Sequence, residues 1–185
     1  MDVTAKNNAI RQLLWIGMIG ITMFFAGLTS AVIVRSAESG WVKIGIPDFF
    51  WLSTCSIIIG SILMIIAKRN IKQDKPVTQY VIATLIFGLF FALFQFLGWK
   101  DLVSNEFFFT GENSTSSSSF LYVITLAHLL HVIGGLISLI FTSVKSYKGQ
   151  YNSDDYLGIE LASIYWHFLD VLWIYLLIFL FYMLN

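Results

Sequence analysis

Residues 160–173 read ELASIYWHFLDVLW and open an apolar run that continues to Leu184. A helix needs ~20 predominantly apolar residues to cross the hydrocarbon core of a bilayer, and this run is long enough. Yet it carries Glu160, Ser163, His167 and Asp170, spaced i, i+3, i+7 and i+10. That spacing lines all four along one helical face. Ionisable groups at bilayer depth are costly unless they are paired or wetted, so such residues turn toward a bundle interior. The segment reads as a transmembrane helix with a polar stripe facing other helices.

The rest of the chain agrees. Of its 185 residues 57% are hydrophobic and only 12% charged, with a mean hydropathy of +0.78, where a soluble domain carries about 25% charge. This composition belongs to an integral membrane protein. The net charge is zero, which gives no reason to expect a nucleic-acid partner. The single cysteine, Cys55, lies inside an apolar segment and reads as a small buried hydrophobe, with no disulfide framework or Cys-rich metal site. The first apolar stretch is too long for a signal-peptide core and lacks a small-residue exit, so it reads as a retained span.

The predicted fold class is all-α, an integral membrane bundle of five transmembrane helices in a single domain over residues 1–185, with helices at about 12–34, 48–67, 78–99, 120–142 and 159–184. Pro47 and Asp48 open the second helix, and KRNIKQDKP at 68–76 separates the second from the third. The Ser-rich TGENSTSSSS at 110–119 reads as a flexible, solvated loop. Asn113-Ser114-Thr115 fits a glycosylation sequon, but the tripeptide is common and nothing marks a secreted eukaryotic chain.

Lys and Arg orient the bundle. Lys6, Arg11, Lys68, Arg69, Lys72, Lys75, Lys145 and Lys148 share one side, and Arg35, Lys43 and Lys100 the other. This asymmetry predicts a cytoplasmic N-terminus and an outer C-terminus. Asp101, Glu106 and Glu112 make the outer side acidic. Trp15, Trp41, Trp51 and Trp99 fall near span ends and read as interfacial anchors. Small and polar residues suggest packing stripes: Gly17, Gly20, Gly27 and Ala31 on the first span, Ser53, Ser56 and Gly60 on the second. Thr84, Gly88 and Gln95 mark the third, and Thr125, His128, His131, Gly135, Ser138 and Thr142 the fourth.

Spans four and five are antiparallel neighbours. Matching their ends puts His131 at the level of Asp170 and His128 at the level of Trp173, with Asp170 near the midplane. The expected intramembrane polar network is His128, His131, Glu160, His167 and Asp170, with contact among His131, His167 and Asp170 and with Glu160 near the cytoplasmic interface. Three chemistries remain open for it. His131, His167 and Asp170 can be set as ligands of a haem or an iron–carboxylate site, although His128 and His131 share a face and cannot clamp a haem from opposite sides. A Glu–Ser–His–Asp row is also the type of chain that carries protons. The third reading, interhelical hydrogen bonding, is the favoured one. No nucleophile–base pair, phosphate loop or paired catalytic carboxylates are visible, so no residue is assigned as catalytic.

Glu160, Tyr165-Trp166-His167-Phe168, Asp170-Val171 and Trp173 resemble the last-helix signature of haem-copper oxidase subunit III, a Glu followed by Tyr-Trp-His-Phe-Val-Asp-Val-x-Trp, with Leu169 in place of Val. Thr125, His128, His131 and Val132 resemble the family's Thr-Gly-x-His-x-x-His-Val, with Leu126 for Gly. Gln95 with Trp99, and Pro47 with Leu52-Ser53-Thr54, resemble parts of two other family helices, so the likeness covers most of residues 12–184. Larger family members have seven helices. Five here is consistent with absence of the first two, which leaves the side of the N-terminus unchanged. The family's lipid-filled cleft lies between those two helices and the other five, so its lipid positions do not carry over. A family motif Ser-Glu-x-Met-Phe-Phe aligns with Gly20 to Phe25, which places Ile21 where the family has a buried Glu.

The resemblance implies an accessory subunit of a proton-pumping terminal oxidase in aerobic electron transport, a non-catalytic chain of a cytochrome c oxidase type complex in a bacterial inner membrane. It implies docking against the catalytic subunit I and subunit II, which would hold the haem and copper. The counts agree, since a haem-copper core needs six histidines against three here, and a dinuclear copper site needs paired cysteines against one. This chain is expected to bind no cofactor of its own, with room for bound phospholipid and for membership of a respiratory supercomplex. Asp154, Asp155 and Glu160 are candidates for collecting protons at the cytoplasmic face. The corresponding subunit of a quinol oxidase or nitric oxide reductase fits the same motifs. An independent small transporter using the polar row is the reading from a different class.

Overall fold

A computed structural model describes residues 3–111, 114–153 and 155–185. Among them are five α-helices: α1 (Val3–Ser36), α2 (Asp48–Ile71), α3 (Thr78–Ser104), α4 (Ser116–Tyr147) and α5 (Leu157–Leu184). All five are long and apolar enough to cross a membrane. Most overrun the apolar segments read from sequence, because intrahelical hydrogen bonds continue into polar flanks that apolar content does not count.

The helices α2, α3, α4 and α5 pack in that cyclic order, each on its neighbours. Among the described residues α1 packs only on α5 and α4. It buries one narrow line, Met18, Phe25, Thr29 and Val32. The expected small-residue seam of α1 is therefore on the wrong face: a Cβ added at Gly17, Gly20 or Gly27 would meet no neighbouring side chain or helix within 4 Å. Large apolar side chains, not close backbone approach, seat this helix.

Two indoles centre the four-helix ring. Trp166 of α5 is 1% exposed and Trp173 is fully buried. Trp166 fits only because three helices present glycine to it. A Cβ on Gly60 would lie 3.2 Å from its Nε1, and one on Gly88 would lie 2.6 Å from its Cη2 and from Leu136 Cδ2. Gly135 closes the third side. The Leu136 tip can rotate away, but the indole is walled in, so Gly88→Ala is expected to cost about 1–3 kcal/mol of overpacking. The midpoint of thermal unfolding in mild detergent reports this. Gly17→Ala, with open space around it, is the matched control and should leave the midpoint unchanged or slightly raised.

Polar contacts between spans follow the same inward logic. Gln95 Nε2–H donates to Ser53 Oγ at 2.9 Å, Thr84 Oγ1–H donates to the Gly60 carbonyl at 3.3 Å, and Trp173 Nε1–H donates to Thr54 Oγ1 at 2.9 Å. Trp99 Nε1–H donates to Thr125 Oγ1 at 3.0 Å, and Trp41 Nε1–H to the Met183 carbonyl at 3.0 Å. Trp99 thus ties α3 to α4 and Trp41 ties the α1–α2 loop to the end of α5, whereas Trp15 and Trp51 are 56% and 45% exposed. Cys55, read as buried, is exposed on the outer surface of α2.

The loops opposite the Lys-rich end are pinned. Ile44 N–H donates to the Leu184 carbonyl at 2.8 Å and, with Trp41, satisfies last-turn carbonyls of α5 that have no intrahelical partner. The Ser-rich stretch differs from its reading as a flexible loop. Thr115 and Ser118 form a capping box, and α4 begins at Ser116. Ser118 and Ser119 hydroxyls donate to the Phe108 and Phe109 carbonyls, each at 2.8 Å. A serine run reads as disordered by composition but supplies the oxygen acceptors a helix start requires.

Candidate functional site

The polar stripe of α5 meets two different helices. At the Lys-rich end Arg11 of α1 donates to Glu160 Oε2 at 2.6 Å, with the Glu160 side chain 19% exposed. Further in, Ser163 is 1% exposed, and His167 is half-buried with its Nδ1 hydrogen-bonded to the Ser61 hydroxyl of α2. The Asp170 carboxyl, 8% exposed, also interacts with Ser61, while its Oδ1 is buried without a hydrogen-bond partner. Ser61 therefore stands between His167 and Asp170 and ties α5 to α2.

The histidines of α4 lie on another side of α5. His128 is fully buried and stacks on Trp173 with ring centroids 5.1 Å apart, edge-on to Phe91 at 5.7 Å and Phe25 at 6.2 Å. Both its ring nitrogens lack a hydrogen-bond partner. His131 Nδ1–H donates to the Ala127 carbonyl of its own helix at 2.7 Å, and its ring packs edge-on against Phe25 at 5.5 Å. Tyr165 of α5 reaches across to donate to the His131 carbonyl at 3.2 Å.

The expected contact of His131 with His167 and Asp170 is thus replaced by two separate arrangements. The depth matching is right for His128 and Trp173. The rotation about the helix axes is not, so His131 turns to α1 while His167 and Asp170 turn to α2. Among the described residues no group of three His, Cys, Asp or Glu side chains is placed to hold a metal ion. What the geometry can do is bond helices: an ion pair for α1–α5, a shared hydroxyl for α2–α5, and aromatic stacking for α4–α5.

Of the proton-collecting candidates, Asp154 lies outside the described residues, as do Glu112 and Asn113. Asp155 is exposed in the α4–α5 connection, where its N–H donates to Asn152 Oδ1 at 2.7 Å. Beside it, burial pushes the Tyr151 phenol above its usual range. A hydrogen bond with Thr142 opposes this, and the Asp155 charge adds to it. Glu160 is held by Arg11. Sequence reasoning missed Ser61 and Arg11. Ser61 is one position past the Ser53, Ser56, Gly60 stripe and so looked peripheral. Arg11 read only as a flanking charge.

A family model described as Cytochrome c oxidase subunit III matches residues 10–184. The chain is 30% identical over 132 residues to the cytochrome c oxidase subunit 3 of Spodoptera frugiperda, an alignment taking in 69% of this chain and 84% of that one. With the probable cytochrome c oxidase subunit 3 of Mycobacterium leprae it shares 31% identity over 163 residues, or 82% and 77% of the two chains. With that of Mycobacterium tuberculosis it shares 34% over 96 residues, 52% of this chain and 46% of the other. Against that last relative the chain spans about half the length.

Proposed function

The chain belongs to the cytochrome c oxidase subunit III family, and from this premise we propose that it is the accessory, non-catalytic subunit of a proton-pumping terminal oxidase, seated beside the catalytic subunit and stabilising it. It is a multi-pass membrane protein. The observation that carries the reading is the joint one of a family match over residues 10–184 and the burial of the last-helix motif residues Trp166, Asp170 and Trp173 at the bundle centre. Residues that would be redox ligands in another setting serve here as helix–helix bonds, and the haem and copper belong to the partner subunits I and II. In this reading the chain sits in a bacterial inner membrane, and the excess of Lys and Arg makes the Lys-rich end the cytoplasmic one.

Asp154, Asp155 and Glu160 then sit on the side from which protons are taken up, and act as a surface collector for the catalytic subunit. Purification through a tag on this chain is expected to bring down haem-bearing subunits with oxygen-consuming activity, and a copper A absorbance if cytochrome c is the donor. A chain recovered free of haem protein would overturn the assignment. In the recovered complex, neutral amides at all three acidic positions should slow proton uptake by roughly tenfold at low salt and less at high salt. Unchanged uptake removes the collector role while leaving the subunit assignment intact.

A further inference from the structure

Between the Lys-rich end of α2 and the facing side of α5 runs a groove of about 290 Å³ lined by Lys68, Arg69 and Lys72 from α2 and by Ser163 and His167 from α5. Ile65 and Ile164 complete it. Cations are expected at this end of any span, so their presence alone decides nothing. Three further observations do.

First, no carboxylate among the described residues pairs with these cations. The ion pairs among the described residues are Arg11–Glu160 and Arg35–Glu38, so none of Lys68, Arg69 and Lys72 has a carboxylate. The Ser61–His167 pairing sets Glu160 level with Lys68 across the two antiparallel helices, and Arg11 of α1 has already taken it. Second, the groove carries an oriented polar ring edge. His167 Nδ1 is engaged by Ser61, so Nε2 is the ring nitrogen left for the groove. Nε2 is thereby the polar edge that the ring presents beside the cations. Third, the apolar wall does not stop at the groove. Ile65, Ile62 and Ile58 form an exposed lane up α2 at 49%, 51% and 37% exposure. Side chains on a helix lean toward its N-terminus, so Lys68, Arg69 and Lys72 incline along α2 toward His167 rather than away from the membrane.

We propose that this groove seats the headgroup of an anionic phospholipid, its phosphate held by Lys68, Arg69 and Lys72 beside the His167 ring, and an acyl chain lying along Ile65, Ile62 and Ile58. Basic pockets between transmembrane helices at the inner leaflet bind such headgroups. The isoleucine lane favours a lipid over free phosphate, which has nothing to place there. The site lies within the five-helix unit and rests on its membrane placement, not on the oxidase assignment, so the two fail separately.

The test uses the chain purified in mild detergent together with whatever subunits accompany it, with retained lipid measured by native mass spectrometry after titration with phosphatidylglycerol or phosphatidylcholine. Phosphatidylglycerol should be retained selectively, and the Lys68→Gln/Arg69→Gln/Lys72→Gln variant should weaken its retention by about fivefold per charge removed. Lys145→Gln/Lys148→Gln, which removes exposed cations from the same end of α4, should leave it unchanged. Equal losses in both variants would overturn the site in favour of diffuse surface charge. Equal retention of phosphatidylcholine, or displacement of the lipid by inorganic phosphate, would overturn its lipid specificity.

Discussion

Trp166→Ala is expected to lower the stability of the bundle by about 3–5 kcal/mol, the largest effect of any single truncation here. The indole is 1% exposed and touches α2, α3 and α4 through Gly60, Gly88 and Gly135. Removing it leaves a void bounded by three glycines, which have no side chains to collapse into it, so the cavity term is added in full to the lost contacts. Trp166 Nε1 is buried without a hydrogen-bond partner, a cost already present in the native chain. Trp166→Phe, which removes that stranded N–H while keeping most of the ring, should therefore recover a good part of the loss. Unfolding in detergent with increasing SDS measures both variants. A loss below about 1 kcal/mol for Trp166→Ala would show that the ring of α2 to α5 closes without its central indole.

Ser61→Ala is expected to cost about 2–4 kcal/mol, more than one hydroxyl at the surface of a bundle would suggest. The reason is that one oxygen serves two groups. His167 Nδ1 and the Asp170 carboxyl both lie against Ser61, and Asp170 Oδ1 is already without a hydrogen-bond partner. Alanine strands both groups at membrane depth, where water is scarce and orphaned polar atoms are costly. Combining Ser61→Ala with Asp170→Leu tests the account, because removing the carboxyl as well should make the second substitution cheaper than it is alone. Strict additivity would mean that Ser61 and Asp170 do not act together. A Ser61→Ala cost no greater than that of Ser56→Ala, at a buried serine of the same helix that makes no comparable bridge, would sink the α2–α5 tie altogether.

These two residues show what was legible beforehand. Trp166 and Asp170 were visible in the last-helix motif, and the need to bury Asp170 followed from its depth. Ser61 and Arg11 were not visible as partners. Nothing in the run Ser53, Ser56, Gly60, Ser61 says which hydroxyl will meet a histidine 106 positions away. The α1 glycines misled because small residues pack helices only where a second helix is present, and α1 has neighbours on one side alone among the described residues. The serines at 116–119 misled because composition reports solvation and not the capping geometry that starts α4.

By itself the sequence determined the number of spans, their rough ends, the Lys-rich side and the depth at which each polar residue of α4 and α5 sits. These are local quantities: apolar run length and a rise of about 1.5 Å per residue set them before any helix meets another. His128 indeed lies level with Trp173. Only the tertiary structure decided the direction in which each residue points. Each residue turns a helix by about 100°, so which side chains meet depends on how whole helix faces pack, a non-local balance that run length and rise do not encode. That balance sent His167 and Asp170 to Ser61, His131 to Phe25, and Glu160 to Arg11.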